Sequence, residues 1–214
     1  MSTLMIEYLE LGRLKNIQPL VWICLVWLLA IPRNVHAQVY NYDIYIDDVK
    51  AGKMEVSKST YVNGGAVIDL SSKMKVGGIG TNEIEIYSTT YFKKGTLTDS
   101  ESVVERNRRI KEQVIVKYDN SRYLVSRRNE NPLVLQEGIS MTMAELFYKE
   151  PAGILSVFSE RYGEKCKIKV LKTGTYEIAL PTGGSAVYHY DRGKCVLIES
   201  VGNIQSMTMK LKSK

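Results

Sequence analysis

The stretch "AVIDLSSKMKV", Ala66–Val76, indicates the fold class because its residues alternate in polarity. The apolar residues share one side of an extended chain: Ala66, Ile68, Leu70, Met74 and Val76. The polar residues share the other side: Asp69, Ser71, Lys73 and Lys75. Residues two apart on a β-strand point to the same face. The stretch therefore predicts a strand with one buried and one solvated face, as antiparallel sheets have.

The same alternation continues along the chain in both directions. Tyr40–Ile46 precedes the stretch, Ile84–Phe92 follows it, and Met207–Leu211 ends the series. Turn-forming pairs separate the strands: Gly64-Gly65, Lys94-Gly95, Thr173-Gly174, Gly183-Gly184 and Arg192-Gly193. Turn spacings of about 8–12 residues are typical of all-β domains. We predict an all-β, mainly antiparallel meander of about 10–12 strands that forms a curved sheet or open barrel.

The N-terminal residues have the pattern of a secretory signal peptide. Gly12–Lys15 carries positive charge, Leu20–Ile31 is apolar, and Val35-His36-Ala37 offers small residues at the two positions that a signal peptidase reads. We predict a signal peptide over residues 1–37, cleaved near Ala37, and a single β domain over residues 38–214. The apolar run is shorter than the roughly 20 residues of a membrane-spanning helix. The expected location is periplasmic or in the outer cell envelope, without a transmembrane span in the mature chain; an uncleaved anchor is the alternative.

One segment, Ser140–Glu164, interrupts the strand pattern. Thr142–Glu145 has the S/T-x-x-E form of a helix capping box, and Pro151 disfavours helical geometry at the residue before it. We predict a helix of about two turns, which is too short to be stable alone and must pack on the concave face of the sheet. Three residues share the face that would contact the sheet and a ligand: Met143, Leu146 and Phe147.

Several stretches resemble a family of exported bacterial β-rich proteins of unknown function. They are "YDIYIDDVKAGKMEV" from Tyr42, "ELFYKEPAGILSVFSERYGE" from Glu145, "YEIALPTGG" and "YHYDRGKCV". The resemblance covers most of Tyr42–Leu211. It implies an antiparallel β architecture in the cell envelope, and it supplies no activity and no catalytic residues. A more distant likeness to curved-sheet envelope carriers of acyl chains is an analogy of fold only.

The sequence gives only weak support for a catalytic site. Ser185, His189 and Asp191 are triad-like in type, but they follow one another along a strand without a nucleophile turn. Three carboxylates near the interruption could act as acid and base only if one were buried: Glu145, Glu150 and Glu160. The loop "VGGIGTNE", residues 76–83, lacks the Lys-Ser/Thr ending of a phosphate loop. We predict no catalytic residues, no metal ligands and no cofactor, and a hydrolase is the least favoured function.

The role of the positive charge and the pairing of the two cysteines each have two possible interpretations. The formal net charge of +6 is modest for 214 residues, so we expect no nucleic-acid partner. The densest basic patch suits either an anionic lipid or polysaccharide, or a solvated edge protected by charge: Arg106, Arg108, Arg109, Arg127 and Arg128. Cys166 and Cys195 would form a disulfide in an oxidising compartment or be two buried small hydrophobic residues.

These observations favour a non-enzymatic envelope protein that binds an apolar or amphiphilic ligand, such as a lipid, inside a curved sheet. The alternative is a structural or interaction module of a cell-surface assembly, with another envelope protein as partner. The volume of the space inside the curved sheet distinguishes these two functions. A void of roughly 300 Å³ or more favours a ligand carrier, whereas a filled core favours a scaffold.

Overall fold

Antiparallel β-structure accounts for most of the protein. The computed structural model describes residues 34–77, 82–201 and 206–213. Residues 1–33 of the predicted signal peptide lie outside the described residues. The strands, in chain order, are β1 Asn34–Ile46, β2 Val49–Tyr61, β3 Gly65–Val76, β4 Asn82–Lys93, β5 Thr96–Arg106, β6 Arg109–Asp119, β7 Arg122–Arg127, β8 Leu133–Leu135, β9 Ser156–Ser159, β10 Glu164–Lys172, β11 Thr175–Ala179, β12 Ser185–Asp191, β13 Lys194–Val201 and β14 Met207–Leu211.

All described strands belong to one sheet, in the order β8-β7-β6-β5-β4-β3-β2-β1-β14-β13-β12-β11-β10-β9. Each half of the chain is a meander of neighbouring hairpins, and the first and last strands meet in the middle, where Tyr42 pairs with Leu211. The predicted all-β antiparallel fold is therefore confirmed. The described sheet has 14 strands rather than 10–12; β8, for example, is too short to show alternation in the sequence.

Tight turns connect several of the long strands. In five two-residue hairpin turns both residues have positive φ, as in a type I′ turn, whose twist matches that of the flanking strands. These turns are Asp47–Asp48, Lys94–Gly95, Asn107–Arg108, Asn120–Ser121 and Arg192–Gly193. The pairs Lys94-Gly95 and Arg192-Gly193 were predicted from sequence, since glycine adopts positive φ readily.

The chain passes from one edge of the sheet to the other through residues 136–155, here named the crossing segment. Near its middle, Thr142 forms a parallel bridge with Phe158 of β9. The Phe158 N–H donates to the Met141 carbonyl at 2.9 Å, and the Met143 N–H donates to the Phe158 carbonyl at 2.8 Å. The crossing segment therefore covers the outer edge of β9 before it turns into the interior.

The predicted two-turn helix is a single 3-10 turn, Ala144–Phe147. The Thr142 side chain makes no capping hydrogen bond, and the backbone on either side of it is held by β9, so the first turn of an α-helix does not form. The other half of the capping box is present, because the Glu145 carboxylate accepts the Thr142 N–H at 2.9 Å. Leu146 and Phe147 are buried, as the predicted packing on the concave face requires.

The turn between β9 and β10, Glu160–Gly163, joins the two ends of the sheet and is here named the closing turn. The Arg127 guanidinium on β7 donates to the Tyr162 carbonyl at 2.8 Å. Arg161 forms an ion pair with Glu112 on β6, with an N–O distance of 2.9 Å. Side chains thus close the rolled sheet into a barrel-like shape where backbone pairing ends.

Close packing explains why the closing turn ends in glycine. Gly163 has a φ of +67°, and a Cβ at this position would lie 2.5 Å from a Val125 methyl carbon and 3.1 Å from a Val114 methyl carbon. A residue with a side chain at this position would therefore have a strained backbone conformation. Its Cβ would also push β9 and β10 away from β6 and β7.

In the structure both described cysteines are free and buried. Cys166 lies on β10 and Cys195 on β13, with two strands between them. Neighbouring strands lie about 4.8 Å apart, so the two Cα atoms are well beyond the roughly 7 Å that a disulfide allows. Burial raises the pKa of the Cys166 thiol to about 11 and that of Cys195 to about 12.

Candidate functional site: an apolar interior cavity

The rolled sheet is filled at one end and hollow at the other. The hollow end contains a cavity of about 950 Å³. Most of its lining is apolar and comes from inward-facing residues of strands on both halves of the sheet: Ile46, Met54, Ile68, Leu70, Met74, Val76, Ile84, Ile86, Val104, Tyr188, Ile198, Met207 and Met209. Alternation along the strands positions these residues, because every second side chain must point inward. Ligand sites of this volume accommodate small organic molecules.

The crossing segment and the closing turn form the floor of the cavity. Met143, Ala144 and Phe147 line it from the 3-10 turn, and Glu160 lines it from the closing turn. Below the floor, Leu146 is fully buried, and the edge of the Phe147 ring meets the Tyr42 ring at a centroid distance of 5.6 Å. Of the three predicted ligand-contacting residues, the structure brings Met143 and Phe147 to the cavity and places Leu146 in the core beneath it.

Glu160 is a buried carboxylate, with only 4% of its surface exposed. It accepts the N–H groups of Met143 at 3.2 Å and Ala144 at 3.1 Å, and the Thr90 hydroxyl lies 3.5 Å away. It thus supplies the cap that Thr142 does not. Burial raises the pKa of Glu160 from its ordinary value of 4.5 to about 6. A negative charge at the floor of an apolar cavity disfavours any further anion there.

In the sequence, Glu160 was a candidate catalytic carboxylate together with Glu145 and Glu150. The structure gives the other two separate partners, because Glu150 accepts the Tyr176 hydroxyl at 2.6 Å and Glu145 accepts a backbone N–H. The burial of Glu160 was not evident from the sequence. The signal that could have found it is its position directly after the apolar strand "SVFS" and inside a turn that ends in glycine.

Hydroxyl groups interrupt the apolar wall on one side. Ser72 on β3, Ser88 on β4 and Ser102 on β5 all line the cavity, and Ser88 and Ser102 are directly opposed across the strand pair. Ser72 is only 3% exposed, and its hydroxyl has no hydrogen-bond partner among the described residues. An unpaired buried hydroxyl costs about 1–3 kcal/mol.

The cavity opens at the end of the sheet where the β5–β6 hairpin turns. Three charged side chains of the β5–β6 hairpin line this mouth, Arg106, Lys111 and Glu112, and the Arg161 side chain extends from the closing turn to Glu112. Arg161 and Glu112 neutralise each other through two hydrogen bonds, at 2.9 and 3.1 Å. Arg106 and Lys111 have no ion-pair partner within the described ranges, so the mouth carries positive charge.

The predicted basic patch is therefore divided. Arg106 lines the mouth, and Arg108 and Arg109 are exposed on the adjoining turn and strand start. Arg127 belongs to the closing contacts, where it also lies 3.4 Å from Glu130 and 3.8 Å from Glu164. Arg128 follows it in the turn after β7, and its backbone N–H donates to the Gln113 carbonyl.

The triad-like residues do not form a triad. The His189 imidazole lies 2.7 Å from the Glu199 carboxylate, and the Ser185 hydroxyl donates to Glu177 at 3.1 Å. Ser185 and His189 are four positions apart on β12, which at about 3.3 Å per residue is too far for direct contact. Within the described part of the chain, no group of three His, Cys, Asp or Glu side chains is placed to hold a metal ion.

No helix among the described residues has the length and apolar character needed to span a membrane.

The rolled antiparallel sheet and its cavity define a barrel-like β protein with an apolar interior. Comparison with known sequences gives the family. The chain belongs to DUF6134, a domain of unknown function, whose profile matches residues 42–212. The expected membership of a β-rich family of unknown function is thus confirmed.

A solved structure shares the fold. It is the crystal structure of a beta-barrel-like protein of domain of unknown function DUF1849 from Brucella abortus. The TM-score is 0.51 at 16% sequence identity, and the alignment covers 85% of this chain and 98% of the other. At this identity the likeness shows the fold alone. No curated protein matches the chain significantly in sequence.

Proposed function

We propose that this protein is an exported, non-enzymatic binding protein of the cell envelope that holds an apolar or amphiphilic molecule in its interior cavity. The observation that supports this most directly is the 950 Å³ cavity. Its volume is well above the roughly 300 Å³ at which a ligand carrier is favoured over a filled scaffold. Its lining of Met, Ile and Val offers apolar surface, and methionine adapts to ligands of varied shape.

The edges of the sheet favour a binding protein over an assembly module. Strand addition requires a free edge with several exposed backbone groups. The crossing segment covers β9, and β8 is only three residues long. The two outermost strands therefore offer little edge for a partner strand.

Two adjacent serines give a matched test. Ser72 lines the cavity, whereas Ser71 on the same strand is exposed on the outer face. Ser72→Trp should fill the cavity and abolish uptake of N-phenyl-1-naphthylamine, a neutral probe that fluoresces in apolar sites. Ser71→Trp should bind the probe as the original protein does. Circular dichroism would verify that both variants keep the β fold.

The native ligand can be sought directly. Protein purified from its own host would be extracted with organic solvent, and the extract analysed by mass spectrometry for a stoichiometric amphiphile. A protein that yields no such molecule and takes up no probe would contradict the proposal. Equal probe binding by the two tryptophan variants would contradict the assignment of the site to the cavity.

A further inference from the structure

The charge of the cavity is arranged along its axis. Arg106 and Lys111 lie at the mouth, and the carboxylate of Glu160 lies at the floor. Between them the wall is mostly apolar, and the polar groups in it are mainly hydroxyls. The other acidic side chain at the mouth, Glu112, is paired with Arg161. The mouth therefore attracts an anion, and the floor repels one.

Nearby carboxylates do not neutralise the mouth. Glu83 and Glu85 begin β4 at the same end of the sheet, but both pair with Lys73, each at 2.8 Å. They alternate along β4 with the cavity-lining Ile84 and Ile86, so both carboxylates lie on the outer face of the sheet, away from the cavity. The guanidinium of Arg106 and the ammonium of Lys111 consequently remain free to bind a ligand, and both groups bind carboxylate and phosphate oxygens well.

We infer that the ligand is an amphiphile with an anionic head group, a carboxylate or a phosphate, bound with the head between Arg106 and Lys111 and the apolar tail pointing toward Met143 and Phe147. This inference rests on the proposed function, since it specifies the ligand of the same cavity. The reverse orientation would bury an anion beside the Glu160 carboxylate in an apolar environment, which is strongly unfavourable.

The test compares head groups on one tail. Dodecanoate, dodecyl phosphate, dodecanol and dodecylammonium would each compete with N-phenyl-1-naphthylamine for the full-length protein. Two partly exposed ion pairs should make an anionic competitor about three- to tenfold more effective than dodecanol. The preference should shrink as salt is added, because the mouth is exposed. The ranking of dodecanoate against dodecyl phosphate identifies which anion the mouth prefers.

Two double variants with the same change in charge test whether the preference for anionic competitors comes from the mouth of the cavity. Arg106→Gln with Lys111→Gln should bring the anions to the level of dodecanol and leave dodecanol itself unchanged. Lys93→Gln with Lys172→Gln removes the same charge from strand ends at the opposite end of the sheet and should preserve the preference.

The outcomes separate the two proposals. Competition by dodecanol equal to that by the anions, or stronger competition by dodecylammonium, would overturn the inference about the head group and leave the proposed function standing. Retention of the anion preference in the Arg106→Gln, Lys111→Gln variant would also overturn it. Failure of the probe and of every competitor to bind would contradict the proposed function itself.

Discussion

Replacing Glu160 by glutamine should change the way in which the stability of the protein depends on pH. The carboxyl group of Glu160 is buried in the folded protein, and its pKa is raised by that burial from 4.5 to about 6. Between these two pH values the folded chain binds more protons than the unfolded chain. The contribution of Glu160 to stability is therefore fully present below about pH 4.5 and is lost as the pH rises through about 6.

The size of the effect follows from the two pKa values. A difference of one pKa unit corresponds to about 1.4 kcal/mol, so the raised pKa of Glu160 corresponds to about 2 kcal/mol. Urea denaturation of the original protein and of Glu160→Gln, from about pH 4 to about pH 7, measures the difference in their free energies of unfolding. The original protein should lose about 2 kcal/mol relative to the variant across this range.

A control carboxylate should behave in the opposite way. The pKa of Glu137 is lowered by its exposed ion pair with Lys165. Relative to Glu137→Gln, the original protein should therefore gain stability as the pH rises from acid to neutral. Glu145, whose pKa burial also raises, is retained in every protein compared. A free-energy difference for Glu160→Gln that is constant with pH would refute the reasoning, because it would mean that solvent reaches the carboxylate.

Three further predictions concern packing, thiols and the floor of the cavity. Gly163→Ala should destabilise the protein by about 1–3 kcal/mol in urea denaturation, and clearly more than Gly153→Ala, which has a similar positive φ but open space around it; equal losses would contradict the packing of the closing turn. Cys166 and Cys195, with their raised pKa values, should resist iodoacetamide in the folded protein and react after denaturation, as peptide mass spectrometry would show; rapid labelling of the folded protein would contradict their burial. Phe147→Ala should cost about 3–5 kcal/mol and enlarge the cavity, so that longer alkyl chains bind better relative to short ones; an unchanged chain-length preference would show that this ring does not form the floor.

The inward faces of the long strands could be predicted from the sequence because period-two alternation depends only on local geometry. Ile68, Leu70 and Met74, for example, were assigned to one face, and in the structure all three line the interior cavity. The glycine turns were predictable for the same reason. The short strand β8 was missed, since three residues do not establish a period.

The cavity and its floor could not be predicted in this way because they depend on contacts between distant parts of the chain. Glu160 caps a turn that precedes it by 16 positions, at Ala144. Once that carboxylate supplies the cap and β9 holds Thr142, a two-turn helix has no advantage over a 3-10 turn. The separation of Arg127 from Arg106 follows from the strand register, because Arg106 pairs with Arg109 and Arg127 pairs with Val114, five residues further along β6.

The pairing of β1 with β14 has a consequence for biogenesis. Of the described strands, β1 is synthesised first and its partner β14 is synthesised last. Until Met207–Leu211 is synthesised, two strand edges remain without a neighbour, and such edges invite aggregation. A chain that stops short of these residues would lack the last described strand of the barrel-like sheet, so chaperone protection of the nascent polypeptide should matter until they are synthesised.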